Sequence, residues 1–155
     1  MQVRYIQEWP KWNKKKHDEL VNSIHFFGKQ LLSHQMARHI DIELKCDGEM
    51  KEMGTCNSDD HWSNPRFFTI AINPKFTMQH PAAVLAHEMV HLKQFAKAEL
   101  RQKNNILWWK DLPPYSVDAI AKLPLHETEN LPWEWEAYSR EQELYDLWRE
   151  HVKQH

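Results

Sequence analysis

Two histidines and a glutamate, His87, Glu88 and His91, have the residue types and the spacing that a metal-dependent hydrolytic site needs. On a helix, residues i and i+4 project from one face one turn apart, so both imidazoles can reach a single metal ion. Zinc accepts neutral imidazole nitrogens at about 2.0–2.1 Å. Glu88 would lie beside the metal, where a carboxylate can hold a water molecule and take its proton. The segment therefore predicts two zinc ligands, His87 and His91, and a general base, Glu88.

The setting of these three residues matters because the chain has 11 histidines in 155 residues. At that composition the same pattern arises by chance in roughly one such sequence in fifteen. Residues 81–104 predict a helix, since Pro81 suits a first helical position and apolar residues recur at helical spacing. Those apolar residues are Val84, Leu85, Leu92, Phe95 and Leu100. This setting favours a metal site over the alternative in which both histidines line a core and Glu88 is solvated.

The segments before this motif helix predict a helix followed by a small sheet. An apolar stripe at helical spacing indicates an N-terminal helix over residues 13–33. Residues 40–46 alternate as a strand does, and Asp47-Gly48 offers a hairpin turn into a weaker strand at residues 49–56. Another strand is predicted over residues 66–73. We expect it at the sheet edge, where an extended substrate could pair with it.

The segments after the motif helix predict a long connection and a last helix. Residues 105–130 show no periodicity, and a connection of this length is usually functional or locally folded. A final helix is predicted over residues 132–152, with Trp133, Ala137 and Leu144 on its buried stripe. The order of elements predicts an α+β fold with one small antiparallel or mixed sheet and helices packed on a face. The length predicts a single domain over residues 1–155.

A catalytic zinc needs a third protein ligand, and several candidates lie downstream of the motif. They are His126, Glu134, Glu136 and His151. Both glutamates open the last helix. They are about 200° apart around the helix axis, so either can point inward but not both. Helical geometry leaves this choice open.

The run Leu85-Ala86-His87-Glu88-Met89-Val90-His91, followed by a helix with Glu136-Ala137, resembles the gluzincin arrangement of zinc metallopeptidases. In that group the third ligand is a glutamate on a later helix, commonly directly before a small residue. The resemblance therefore implies Glu136 as the ligand, rather than Glu134 or His126. It also implies a minimal zincin-like domain with an N-terminal helix, a motif helix and a C-terminal helix that bears the ligand.

Residues 50–95 also resemble SprT-like minimal zincins, with H-E-x-x-H as the specific match. Those proteins place a third histidine soon after the motif. Residues 92–97 contain no histidine here. The SprT-type ligand set, and the DNA-linked role of some SprT relatives, are therefore not implied for this chain.

These residues predict a hydrolase, a zinc-dependent metallopeptidase that cleaves peptide or protein substrates through a zinc-activated water with Glu88 as general base. Tyr138 is the first candidate for a second donor to the oxyanion, and Tyr115 and His126 are the alternatives. Two other functions remain open. One is a zinc-dependent amidase that acts on a non-protein amide, such as a cell-wall cross-link. The other is a catalytically inactive zincin-like protein that only binds a partner.

Composition predicts where such a protein would work. A formal net charge of −2 gives no field for nucleic acid or an anionic membrane, so we expect neither partner. No stretch approaches the roughly 18 apolar residues of a membrane helix, and the first ten residues are too polar for a signal peptide. Two cysteines are too few for a disulfide scaffold. We therefore expect a cytoplasmic protein, whose oligomeric state and particular substrate the sequence does not indicate.

Overall fold

The computed structural model describes residues 1–6, 14–60, 64–77 and 80–155, which form an α+β fold, as the sequence predicts. In chain order the elements are β1 (Gln2–Ile6), α1 (Lys14–Leu31), α2 (His34–Ala37), β2 (Asp41–Cys46), β3 (Gly54–Ser58), β4 (Phe67–Ile72), α3 (Pro74–Thr77), α4 (Pro81–Ala96), β5 (Leu100–Lys103), β6 (Ile106–Trp109), β7 (Tyr115–Ser116), α5 (Val117–Ala121), α6 (Leu125–Thr128) and α7 (Pro132–Gln154). The predicted start of the first helix, residue 13, lies outside the described residues.

The larger sheet is mixed, with strand order β1-β2-β4-β3. β1, β2 and β4 are parallel, and β3 is antiparallel to β4. The parallel pair β1 and β2 needs a crossover, which α1 supplies. Ile42 and Leu44 of β2, with Phe68, Ile70 and Ile72 of β4, are fully buried in the main core. This face of the sheet packs against α1 and α4, and it holds the motif helix α4 in place.

The predicted hairpin at Asp47-Gly48 is wrong, because β3 pairs with β4 and not with β2. Asn73, just after β4, explains the path of the chain. Its side-chain amide donates to the Met50 carbonyl at 2.7 Å, and its backbone N–H donates to the Met53 carbonyl at 2.8 Å. These bonds hold the segment before β3 across the end of β4. β3 then pairs with β4 on the side opposite β2.

The expectation that residues 66–73 form a sheet edge is also wrong. β4 lies between β2 and β3, and hydrogen bonds occupy both of its sides. Within the described part of the chain, β3 is the outer strand on that side of the sheet. A strand added to this end of the sheet would therefore pair with β3.

The motif helix α4 ends at Ala96, not at residue 104 as predicted, and a second small sheet follows it. β5, β6 and β7 form an antiparallel sheet, whose two connections include Asn104 and Lys110 at positive φ (55° and 52°). Leu100, predicted on the helix face, instead packs with Trp109 and Trp133 in a separate second core. The connection at residues 105–130, for which the sequence left a functional role or local folding open, is locally folded as β6, β7, α5 and α6.

The last helix, α7, packs along α4 and places its first turns against the motif. It buries Trp133, Ala137, Leu144 and Trp148, which confirms the predicted stripe. Ala137 is fully buried, and its small side chain lets the two helices approach closely. None of the helices in the described residues is long and apolar enough to cross a membrane.

Candidate metal centre

The middle of α4 is buried almost all the way round, polar residues included. His87, Glu88 and His91 are 9, 5 and 8% exposed. β3 lies against one side of this helix and α7 against another. Polar groups buried in this way need partners, because an unpaired polar or charged group in a protein interior is costly.

Glu134, in the first turn of α7, supplies a shared partner for the two histidines. Its carboxylate oxygens lie 3.2 Å from His87 Nε2 and 2.9 Å from His91 Nε2. The two Nε2 atoms are 3.2 Å apart. Around a tetrahedral zinc with bonds of about 2.0–2.1 Å, ligand atoms are roughly 3.3–3.4 Å from one another. The donor set His87, His91 and Glu134 therefore fits a single zinc ion in both chemistry and spacing.

Glu136, the ligand that the family resemblance implied, does not lie in this group. Its Oε1 accepts hydrogen bonds from Lys93 Nζ at 2.7 Å and from Gln94 Nε2 at 2.8 Å. The Lys93 side chain is only 5% exposed, and a buried cation is costly without an anion beside it. The ion pair with Lys93 holds Glu136 on one flank of α7. Glu134 lies on the other flank, which faces the two histidines. The structure thus brings Glu134, and not the predicted Glu136, to the two histidines.

The outer nitrogens of both imidazoles are also engaged, and they orient the rings. His87 Nδ1 is 2.9 Å from Glu141 Oε2, a carboxylate oxygen that can only accept, so we assign a proton to this nitrogen. His91 Nδ1 is 2.9 Å from Gln94 Oε1, an amide oxygen that also accepts. In their neutral forms both rings then carry a lone pair on Nε2. Two nitrogen lone pairs and a carboxylate converge with no donor among them, which is the arrangement that a cation satisfies.

Without a metal, this group binds protons strongly. Burial alone would lower the pKa of His87, but hydrogen bonds to Glu134 and Glu141 outweigh it and raise that pKa to about 10. The pKa of His91 is also raised, since its bond to Glu134 overcomes the effect of burial. Burial would raise the pKa of Glu134, but the two histidines lower it to about 2. A metal ion must therefore displace protons from the histidines in order to bind.

Glu88 lies on the side of α4 that faces β3. The space there is tight, because a Cβ at Gly54 would come within 2.7 Å of Val84 Cγ1 and 3.2 Å of Glu88 Cγ. Burial is the largest cause of a raised pKa for Glu88, and the nearby histidines partly counter it. Among the described residues no donor is hydrogen-bonded to its carboxylate. Glu88 is thus adjacent to the ligands, outside their group, and able to accept a proton.

Of the predicted oxyanion donors, only Tyr138 contacts the centre. Its ring meets the His87 ring edge to face, with centroids 4.6 Å apart, and the residue is 44% exposed. Burial, followed by nearby glutamates, raises the pKa of Tyr138, so its hydroxyl stays protonated at neutral pH. Tyr115 instead packs on Trp133 in the second core.

The remaining ligand candidates lie elsewhere. His126 is on the short helix α6, outside the metal-binding group found among the described residues. His151 stacks on Trp148 in the second half of α7.

Sequence reasoning missed Glu141 and Gln94, although spacing carried a signal for the first. Glu134, Tyr138 and Glu141 follow an i, i+4, i+7 pattern, which places them on one face of a helix. Had that face been compared with the motif, Glu134 would have been favoured over Glu136. Gln94 follows His91 by three positions on α4, a spacing that also brings side chains together.

The chain matches no protein-family model, no curated protein and no solved structure in the three comparisons made.

Proposed function

We propose that this protein is a zinc-dependent metallopeptidase in which His87, His91 and Glu134 hold the zinc ion and Glu88 is the general base. The convergence of the two Nε2 atoms and the Glu134 carboxylate carries the proposal. When both histidines are neutral, this buried group presents three acceptors and no donor, an arrangement that a metal ion satisfies and that protons occupy in its absence. A set of two histidines and one glutamate is a standard catalytic zinc site, which leaves a position open for water.

The carboxylate of Glu88 distinguishes this reading from a purely structural zinc site. When bound, a zinc ion would supply Lewis acidity, which lowers the pKa of a coordinated water towards about 7 and polarises a peptide carbonyl. Glu88 is buried, follows His87 directly in the chain and precedes His91 by three residues, and it is not engaged by a donor among the described residues. It takes the proton of the attacking water and then delivers it to the leaving amine.

Tyr138 supplies the second donor in this scheme. Its ring lies against His87, and it is exposed enough to meet a substrate. Because its pKa is raised, the hydroxyl stays protonated and can donate a hydrogen bond to the developing oxyanion. The Tyr138 hydroxyl would thereby help to stabilise the negative charge that develops on the substrate oxygen.

A peptide is the substrate that the sheet favours. β3 is the outer strand of the larger sheet in the described part of the chain, and Gly54 of β3 faces Glu88. An extended peptide that pairs with β3 would pass beside this base, and main-chain hydrogen bonds would hold it there. In this proposal the substrate therefore pairs with β3, and not with residues 66–73 as the sequence predicted.

The gluzincin assignment and the minimal zincin-like fold remain part of the proposal. A glutamate ligand on a helix that follows the motif helix supports them. The local pattern is weaker than the sequence suggested, because Glu134 precedes Trp135, whereas Glu136 precedes the small residue Ala137.

Zinc content and peptide cleavage test the proposal together. The wild-type chain should bind one zinc per molecule and cleave casein or a peptide library, and Glu88→Gln should bind zinc but lose cleavage. Glu134→Ala should lose stoichiometric zinc, while Glu136→Ala should still reach one zinc at saturating metal. Glu143→Ala, at an exposed position on the same helix, is the matched control and should behave as the wild type.

Two results would decide against the proposal. A wild-type chain that binds no zinc would remove its basis. Bound zinc without cleavage of any peptide would favour one of the alternatives, an amidase of non-protein amides or an inactive zincin-like binding protein.

A further inference from the structure

Behind His91 lies a buried chain of polar side chains that the catalytic scheme does not use. Lys93 Nζ lies 2.7 Å from both Glu99 Oε1 and Glu136 Oε1. Glu136 Oε1 also accepts from Gln94 Nε2 at 2.8 Å. Gln94 is fully buried, and its Oε1 lies 2.9 Å from His91 Nδ1. These side chains therefore link the buried Lys93 ammonium to His91 through the Glu136 carboxylate and the Gln94 amide.

The amide of Gln94 has only one orientation that satisfies these contacts. Its nitrogen donates to Glu136 and to the Trp133 carbonyl, at 2.8 and 3.0 Å. Both of these partners accept only, so an amide turned by 180° would set its oxygen against two acceptors. The oxygen must therefore face His91, which places the His91 proton on Nδ1 and leaves Nε2 free to bind a metal.

We infer that Glu136, held by Lys93, is a positioning residue that fixes the metal-binding tautomer of His91 by orienting the Gln94 amide. The inference rests on the proposed function, because it assigns these residues to the same zinc site. Glu136 would thus affect the metal without touching it. Partners at this remove from a metal typically change its affinity by about 10–100-fold when they are replaced.

A cycle of variants in zinc affinity tests the inference. Affinity is measured by competition with a chromophoric chelator, on variants whose metal-free fold is checked by circular dichroism. Gln94→Leu should weaken zinc binding by about 10–100-fold, and Glu136→Gln should weaken it by about tenfold. In the double variant the loss should equal that of Gln94→Leu alone, since Glu136 acts through Gln94. Losses that simply add would overturn the inference, because a residue with a general structural role would act independently.

Glu99 provides the matched control. It accepts from Lys93 at the same distance as Glu136, but among the described residues its side chain makes no bond to the Gln94 amide. Its backbone N–H donates to the Gln94 carbonyl at 2.8 Å, a bond that Glu99→Gln leaves in place. Glu99→Gln should therefore leave zinc affinity within about twofold of the wild type. If Glu99→Gln weakens zinc as much as Glu136→Gln, the effect comes from the Lys93 ion pair and not from the amide.

A measurement on the wild type keeps the test independent of variant folding. In ¹⁵N-histidine NMR spectra of the zinc-loaded chain, His91 should show a protonated Nδ1 and a coordinated Nε2. Coordination through Nδ1 would contradict the inference even if every variant misfolds. A wild-type chain that binds no zinc defeats the proposed function. If Gln94→Leu binds zinc as tightly as the wild type does, only the positioning role is wrong.

Discussion

The two histidines of the candidate centre are supported in different ways. His87 donates directly to Glu141, a carboxylate whose side chain is 32% exposed, and the half-exposed Tyr138 covers its ring. His91 donates to the fully buried amide of Gln94. Both rings are buried, but the partners of His87 are partly exposed, whereas Gln94 beside His91 is fully buried and donates to the Trp133 carbonyl. We call the His87 side the open half and the His91 side the closed half. In the proposed function, the closed half would fix the geometry of the site, and the open half would admit the substrate.

The largest expected effect lies in the closed half. Lys93→Met should lower the free energy of unfolding by about 3 kcal/mol, because it removes two charge-assisted hydrogen bonds, to Glu99 and to Glu136. Urea denaturation of the metal-free protein measures this change. Lys153→Met, at an exposed ion pair with Glu150, is the control and should change stability by less than about 1 kcal/mol. Equal effects at the two lysines would show that the closed half is not special.

The next effect lies in the open half and concerns catalysis alone. Tyr138→Phe should lower kcat by about 100-fold, which is the usual cost of losing one oxyanion donor. Zinc affinity and the stability of the fold should stay as in the wild type, because the ring contact with His87 is retained. Steady-state kinetics on a cleaved peptide measure the loss. Tyr115→Phe, in the second core, serves as the comparison, and a loss of similar size there would remove Tyr138 from the scheme.

A smaller effect is expected when the support of His87 is weakened. Glu141→Gln keeps a hydrogen-bond acceptor for His87 Nδ1 but removes the charge, so zinc affinity should fall by about tenfold. Chelator competition at neutral pH measures this change. If the open half tolerates adjustment, the variant should fold as well as the wild type. A collapse of the fold would place Glu141 in the structural frame together with Lys93.

The pH dependence of the metal-free protein completes the comparison. The folded-state pKa of His87 is about 10, above its ordinary value of 6.5, so the stability from its protonation is full below pH 6.5. That contribution is lost as the pH rises through about 10. Denaturation midpoints of the metal-free chain should therefore fall between pH 7 and 10. His87→Gln should show a smaller fall over the same range, and an identical fall would assign the pH dependence to other groups.

Periodic patterns in the sequence correctly predicted those elements whose structure depends on neighbouring residues. The motif helix, the alternating strand at residues 40–46 and the buried stripe of α7 follow from periodicity, and the structure confirms them. The pairing of β3 depends on Asn73, which bonds across to Met50 and Met53 from a distant part of the chain. No pattern within residues 47–58 contains that information.

The choice between Glu134 and Glu136 had a similar cause. It depends on Lys93, which lies among apolar residues of α4 and is buried there. A lysine in a helical sequence is ordinarily assigned to the solvent face, so its need for Glu136 was not visible. The second sheet was missed because its strands are four residues or shorter, and its connections have Asn104 and Lys110, rather than glycine, at positive φ.

The two helices that carry the candidate centre, α4 and α7, are far apart along the chain. The whole second sheet and two short helices lie between α4 and α7, so the centre exists only when α7 has docked. Closing so long a loop costs entropy, and zinc would tie its two ends together. We expect amide hydrogens in the first turns of α7 to exchange slowly in the zinc-loaded chain and much faster once the metal is removed. Loss of metal would then act as a release of α7 before the rest of the fold opens.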